Sequence, residues 1–262
     1  MYGTAWKEAQ TEAVTRLALE AGFRAIDTAN QRKHYLEAGV GAALRGTRIP
    51  RNELFVQTKF TSLDGQDHRL PYDPEADVAT QVQQSFASSL EHLGVDFLDS
   101  LVLHGPTSRH SWTSTDGAIW TTMEALQIAG KTRLIGVSNV THAQLGALCK
   151  TAVVAPAFVQ NRCYARTGWD RDVRALCRDH GIIYQGFSLL TANQRELGTP
   201  AVAAIAARRG LTVPQVVFAF ARAVGMLPLT GTQDPAHMQQ DLAGLGVVLD
   251  PADVAAIEGI AA

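Results

Sequence analysis

Apolar positions along this chain follow two alternating rhythms. Short, nearly continuous runs have the length and content of buried strands, among them Leu54-Phe55-Val56, Leu101-Val102-Leu103, Ala157-Phe158-Val159, Ile182-Ile183-Tyr184 and Met226-Leu227-Pro228-Leu229. Between them the apolar residues recur at helical spacing. Ala9, Ala13, Leu17 and Ala21 share one face of a helix over 8–21, and Val82, Phe86 and Leu90 share one face of a helix over 78–93. Further helices are predicted over 35–44, 119–129, 143–150, 171–179, 200–209, 213–223 and 235–242, with a capping helix over 252–260. Gly22 and Gly181 supply stops, and Pro214 sits near a first turn, where proline is tolerated. Strands near 1–6, 25–27, 54–58, 100–103, 132–137, 157–159, 182–186 and 226–229 alternate with these helices. That order predicts βα units around a parallel sheet. The 262 residues suit a single (β/α)8 barrel, which needs ~250. The polar connection over 60–76 exceeds ordinary length; such loops are usually functional or mobile, and in a barrel this one overhangs the mouth.

Three of the strand-like runs end on a titratable group: Ala25-Ile26 on Asp27, the run at 54–58 on Lys59, and that at 100–103 on His104. The C-terminal ends of barrel strands form the catalytic rim. Singly, each group has a plain structural explanation, such as a helix cap for Asp27 or an incidental position for His104. Together, on neighbouring strands, they bring an acid, an amine and an imidazole to one rim. An ammonium held near a phenol favours phenolate. A tyrosine from the loop after Asp27 then has the character of a general acid for a carbonyl oxygen, and His104 can orient the same oxygen. Lys33-His34-Tyr35 stands in that loop.

Tyr2-Gly3-Thr4-Ala5-Trp6-Lys7, Asp27-Thr28-Ala29, Lys33-His34-Tyr35 and Gly136-Val137-Ser138-Asn139 together resemble the aldo-keto reductases, and the likeness runs along nearly the whole chain. The resemblance implies an α/β fold, a (β/α)8 TIM barrel as one domain over 1–262, with the family's N-terminal hairpin absent and its first strand shortened. It implies a catalytic set of Asp27, Tyr35, Lys59 and His104 that reduces an aldehyde or ketone, with NADP(H) as cofactor and NAD(H) possible. Ser138 and Asn139 match residues that hold the nicotinamide carboxamide, and Gln160 or Asn161 would supply a third contact, with Gln160 favoured by the Gln-Asn pattern. Phe187 and Ser188 match the place where the family stacks an aromatic ring and touches the pyrophosphate, with Leu190 beside them on the cofactor side. Thr230, Gly231, Thr232, His237, Gln240 and Asp241 match the phosphate region at the eighth strand, where hydroxyls and amides before a helix suit an anion. Trp6, His34 and Trp112 are expected to face the substrate.

The chain departs from the family pattern at two places. The family's tyrosine occupies the fifth position after the aspartate, which here is Arg32. Counting back from Glu37 puts His34 at that place and Tyr35 one step further on; Tyr35 is favoured because a phenol fits the acid role that Lys59 and Asp27 support, and His34, whose protonated imidazole can also serve as an acid, is the rival. In the phosphate region Gly231 and His237 replace the usual lysine and arginine, and Asp241 stands where asparagine is usual, so NADH is a serious alternative.

Composition narrows the picture. The formal net charge is −2, without the basic footprint of a nucleic-acid binder. Three scattered cysteines, Cys149, Cys163 and Cys177, form no CxxC pair; neither a disulfide framework nor a metal site is expected, and a reducing cytoplasm fits. No apolar run reaches ~18 residues and no basic-then-apolar leader opens the chain, so a membrane partner is not expected. The expected partner is a small carbonyl compound, with the protein a monomer or weak homo-oligomer. Two other functions compete: an NADP(H)-binding redox-sensing or regulatory barrel with little turnover, and an aldolase using Lys59 as a Schiff base. The fold alone does not choose among them.

Overall fold

The computed structural model describes residues 1–261, in a compact unit Met1–Val159 and a second that begins at Gln160. In the first unit β1 (Tyr2–Gly3), β2 (Ala25–Asp27), β3 (Phe55–Phe60), β4 (Leu98–Leu103) and β5 (Thr132–Ser138) pair in parallel, each with the next. Helices α1 (Thr11–Ala21), α2 (Glu37–Gly46), α3 (Val78–Leu93), α4 (Ser114–Ile128) and α5 (His142–Thr151) lie between and after them. β4 is buried on both faces along its length and β3 nearly so, as befits a parallel sheet. Along β3, Gln57 and Lys59 share one face, while Val56, Thr58 and Phe60 share the other; all five are buried. Thr58 turns its hydroxyl to the buried Glu37 of α2, 2.5 Å away. At the opposite end of the strands, Asp99 accepts from the amide of Val56 and from Arg51 and Arg133, and staples the strand starts.

Local signals account for several helix ends. Gly22 closes α1 in the left-handed region, at φ 117°. Thr113 caps α4 through a reciprocal box with Asp116, so that helix begins at Ser114, ahead of the expected 119. The face of α1 differs from the expected one. Thr11, Val14, Thr15, Ala18 and Leu19 are buried, whereas Ala9 and Ala13 are exposed. The alanine stripe offers little apolar area. The valine-leucine face offers more, and the Thr11 hydroxyl is satisfied locally by the Glu8 carbonyl at 2.8 Å.

In the second unit β6 (Phe158–Arg162), which starts at the boundary, leads to α6 (Arg171–Asp179) and β7 (Ile183–Phe187). Then come α7 (Gln194–Leu197), α8 (Pro200–Arg209), α9 (Val213–Ala223) and β8 (Met226–Pro228), which pairs in parallel with β7. The chain ends with α10 (Pro235–Ala243) and α11 (Pro251–Glu258). α9 is buried continuously from Val216 to Ala221, and Phe220 packs on the fully buried Trp169 with ring centres 5.0 Å apart. The short α7 lacks the periodicity that would have announced it. Eight strands alternate with helices along the chain, the (β/α)8 succession expected. Among the described residues no single helix is long and apolar enough to cross a membrane.

Candidate active site

The first unit gathers the acid, amine, phenol and imidazole. Register places Asp27 opposite Gln57, two residues before Lys59 on the same strand face. Lys59 Nζ donates to both carboxylate oxygens of Asp27 at 2.7 Å and to the Thr28 carbonyl at 2.8 Å, which engages all three ammonium protons. Gln57 Nε2 donates to Asp27 Oδ1 at 2.7 Å. Burial lowers the Lys59 ammonium below its ordinary value, and the charge of Asp27, its hydrogen bond and the more distant Glu37 oppose that fall. The Lys59 ammonium lies 5.2 Å from the centre of the Tyr35 ring. That ring meets His104 edge-on, with centres 5.9 Å apart and an interplanar angle of 72°. Burial, the Lys59 charge and His34 push the His104 imidazole down to about 3, so it is neutral through the physiological range.

His34 and Tyr35 adjoin in sequence but take different company. Both amides donate to the Gln31 carbonyl in a tight turn. The His34 ring stacks on Trp6 with centres 3.8 Å apart, and the Trp6 amide donates to the His34 carbonyl at 2.7 Å. Trp6 is 64% exposed and stands in the left-handed region. Burial and Lys33 lower the His34 imidazole, against Asp67. Trp112 is half-buried just before the cap of α4.

The loop over 60–76 is tied to this rim. Gln31 Nε2 donates to the Gly65 carbonyl, Gln66 Nε2 to the Asn30 carbonyl, and the buried Tyr72 hydroxyl to the Thr61 carbonyl. Its length therefore reflects a packed element carrying its own hydrogen bonds. Gln57 and Thr61 were not singled out from the sequence. The alternation of β3 offered the signal for Gln57, because a residue two before Lys59 shares its face.

At the end of β5, Ser138 is buried and Asn139 is exposed at φ 56°. Asn139 Nδ2 donates to the His104 carbonyl at 2.8 Å and to Ser138 Oγ at 3.1 Å. That leaves the exposed Asn139 carbonyl oxygen as an acceptor suited to an amide N–H, which fits a nicotinamide carboxamide.

In the second unit Gln160 and Gln185 are buried and joined by a 2.9 Å amide bond. Phe187 is half-buried, with the Arg162 guanidinium 5.7 Å from its ring centre, and Ser188 follows at φ 56° with Leu190 half-buried beyond. After β8 the Thr230 hydroxyl donates to Asp241 at 2.7 Å, and burial raises the Asp241 carboxyl. Gly231 and His237 are exposed, and Thr232 and Gln240 half-buried. The first-turn amides of α10 are not open: Asp234 caps them, accepting from Ala236 at 2.7 Å and His237 at 3.4 Å. A carboxylate thus stands where a phosphate was expected to find free N–H groups.

A sequence model described as the Aldo/keto reductase family matches residues 2–262. An aldo-keto reductase of Mycolicibacterium vanbaalenii is 30% identical over 97% of this chain and 84% of its own length. A 2,5-diketo-D-gluconic acid reductase B of a Corynebacterium species is 29% identical over 93% of this chain and 81% of its own. Among solved structures, an aldo/keto reductase from Brucella melitensis superposes with a TM-score of 0.83 at 27% identity, over 99% of this chain and 93% of that one. A Bombyx mori aldo-keto reductase crystallised with NADP shares the fold at a TM-score of 0.82 and 23% identity, over 99% and 87%.

Proposed function

Because the chain belongs to the Aldo/keto reductase family, we propose that it reduces an aldehyde or ketone to the alcohol with NADPH, and that Tyr35 is the proton donor. The observation that carries this reading is the placing of the Tyr35 ring against both Lys59 and His104, while His34 stacks on Trp6. When bound, NADPH supplies the hydride. Ser138, Asn139 and Gln160 would hold its carboxamide, Phe187, Ser188 and Leu190 would flank the ring and pyrophosphate, and Thr230, Gly231, Thr232, His237, Gln240 and Asp241 would meet the phosphate end. The acidic cap at Asp234 and the loss of lysine and arginine there favour weak discrimination against NADH.

The protein's own part is a proton and its placement. Tyr35 Oη delivers a proton to the carbonyl oxygen as negative charge develops on it. Lys59, kept charged by Asp27, stabilises the phenolate left behind. His104, neutral, gives a hydrogen bond to the same oxygen and fixes its direction. Gln57 holds Asp27 in line. A Schiff-base role for Lys59 is disfavoured, because its ammonium is engaged by three acceptors in a buried ion pair.

The test is dinucleotide-dependent turnover on a panel of aldehydes and ketones, followed by nicotinamide absorbance. Reduction of any of them supports the reading. Tight dinucleotide binding without turnover on the panel would favour a sensing role, and no binding of either dinucleotide would remove both.

A further inference from the structure

Thr61 is the first residue beyond β3, two after Lys59, and it is buried. Its Oγ1 stands 2.7 Å from Nδ1 of His104. The contact is set from both sides. The His104 amide donates to the Phe60 carbonyl at 2.8 Å, which places the histidine level with Thr61 across the β3–β4 pairing. The Thr61 carbonyl is held by Tyr72 Oη at 2.9 Å and Gln66 Nε2 at 3.3 Å. Among the described residues, Thr61 Oγ1 is the only hydrogen-bond partner of the His104 ring, and the ring is the only partner of that hydroxyl.

This reciprocity decides where the ring proton sits. A threonine hydroxyl carries one proton, and a neutral imidazole has one N–H and one bare nitrogen. If Oγ1 accepted from Nδ1–H, its own buried proton would have no acceptor, which is an uncompensated desolvation cost. If Oγ1 donates to Nδ1, both groups are satisfied and the ring proton lies on Nε2. We propose that Thr61 is a positioning residue that holds His104 in the Nε2–H tautomer, so that the ring offers the substrate's carbonyl oxygen a hydrogen-bond donor. The role rests on the reductive function proposed above; the tautomer does not. The opposite tautomer would turn a lone pair toward the lone pairs of that oxygen. The imidazole stays neutral, pushed down to about 3 by burial and by the Lys59 charge. It therefore directs the oxygen and leaves proton delivery to the phenol.

The experiment is ring-nitrogen NMR of histidine-labelled protein without substrate, with the His104 signals assigned by their loss in His104→Asn. The wild type is expected to show a bare Nδ1 and a protonated Nε2. Thr61→Val, which keeps the shape and removes the hydroxyl, should give a mixture or the reversed tautomer. In turnover, Thr61→Val should lower kcat/KM by about tenfold, with dinucleotide binding unchanged, and Thr61→Ser should restore both the spectrum and the rate. A protonated Nδ1 at His104 in the wild type would overturn the proposal, whatever Thr61→Val does. An unchanged tautomer or an unchanged kcat/KM in Thr61→Val would also overturn it. Absence of turnover in the wild type would instead strike the reductive reading, and the spectra would still decide the tautomer.

Discussion

Lys59 Nζ lies 2.7 Å from each carboxylate oxygen of Asp27, and both side chains are almost wholly buried. A charge in such a place is tolerable only with its partner. Asp27→Ala is expected to destabilise the fold by about 3–5 kcal/mol, because it strands a buried ammonium. Gln57→Ala removes one hydrogen bond to the same carboxylate and should cost about 1–1.5 kcal/mol. Asp27→Ala combined with Lys59→Met should recover much of the single-variant loss, since an apolar pair needs no counter-charge. Chemical denaturation of the wild type, Asp27→Ala, Lys59→Met and the double variant measures the cycle. Additive losses would show that the two groups are not energetically coupled.

The proposed proton-donor role separates Tyr35 from its neighbour. Tyr35→Phe should cut turnover by about 10²-fold or more, the scale of a lost general acid, and leave dinucleotide binding nearly intact. His34→Ala should disturb the stack with Trp6 and change KM more than kcat. Steady-state kinetics with fluorescence titration of the dinucleotide would check both. The reverse ranking would move the acid to His34.

If the phosphate end lies where proposed, charge at the start of α10 sets the cofactor preference. The affinity ratio of NADPH to NADH is expected to be modest. His237→Arg should raise it by up to about fivefold, the scale of an exposed ion pair with the 2′-phosphate. Asp234→Ser keeps a capping oxygen, removes the negative charge and should act in the same direction. Parallel titrations with the two dinucleotides give the ratio, and a strong wild-type preference for NADPH would place the phosphate grip elsewhere.

Stability should depend on pH through His104. Its folded value is depressed to about 3 from an ordinary 6.5, so between these values the unfolded chain binds the proton and the native protein does not. Stability from this group is present above 6.5 and is lost as pH falls toward 3, with a slope of at most about 1.4 kcal/mol per pH unit. The ring is only half-buried by area, which lessens the slope. His104→Gln should flatten this acid limb in denaturation midpoints taken across the window. An unchanged limb would mean that other groups carry it.

Helix packing has its own test at Gly41. A Cβ there would collide with the His92 carbonyl and come within 2.9 Å of the Leu93 Cα, at the end of α3. Gly41→Ala should cost about 1–3 kcal/mol by overpacking, read as a lowered denaturation midpoint. A midpoint equal to wild type would show that α2 shifts freely.

The sequence by itself determined the strand and helix succession, because periodicity and capping act within a few residues. α6, α8 and α9 begin and end where their spacing, prolines and glycines indicated. It also brought Asp27, Lys59 and His104 to strand ends, because each follows or closes a short apolar run. Only the tertiary structure decided the rest. The buried face of α1 depended on what packs against it, and side-chain size outweighed the alanine stripe. His34 and Tyr35 lie in one turn, and their rings leave it in different directions, one to Trp6 and one to Lys59 and His104. The Asp234 cap of α10 was overlooked although its signal is local. The bond from Thr61 to His104 joins residues 43 apart in sequence and exists only because the register of β3 on β4 sets their side chains level. Residue types and local spacing specify which groups reach a rim; distances between strands specify which of them touch.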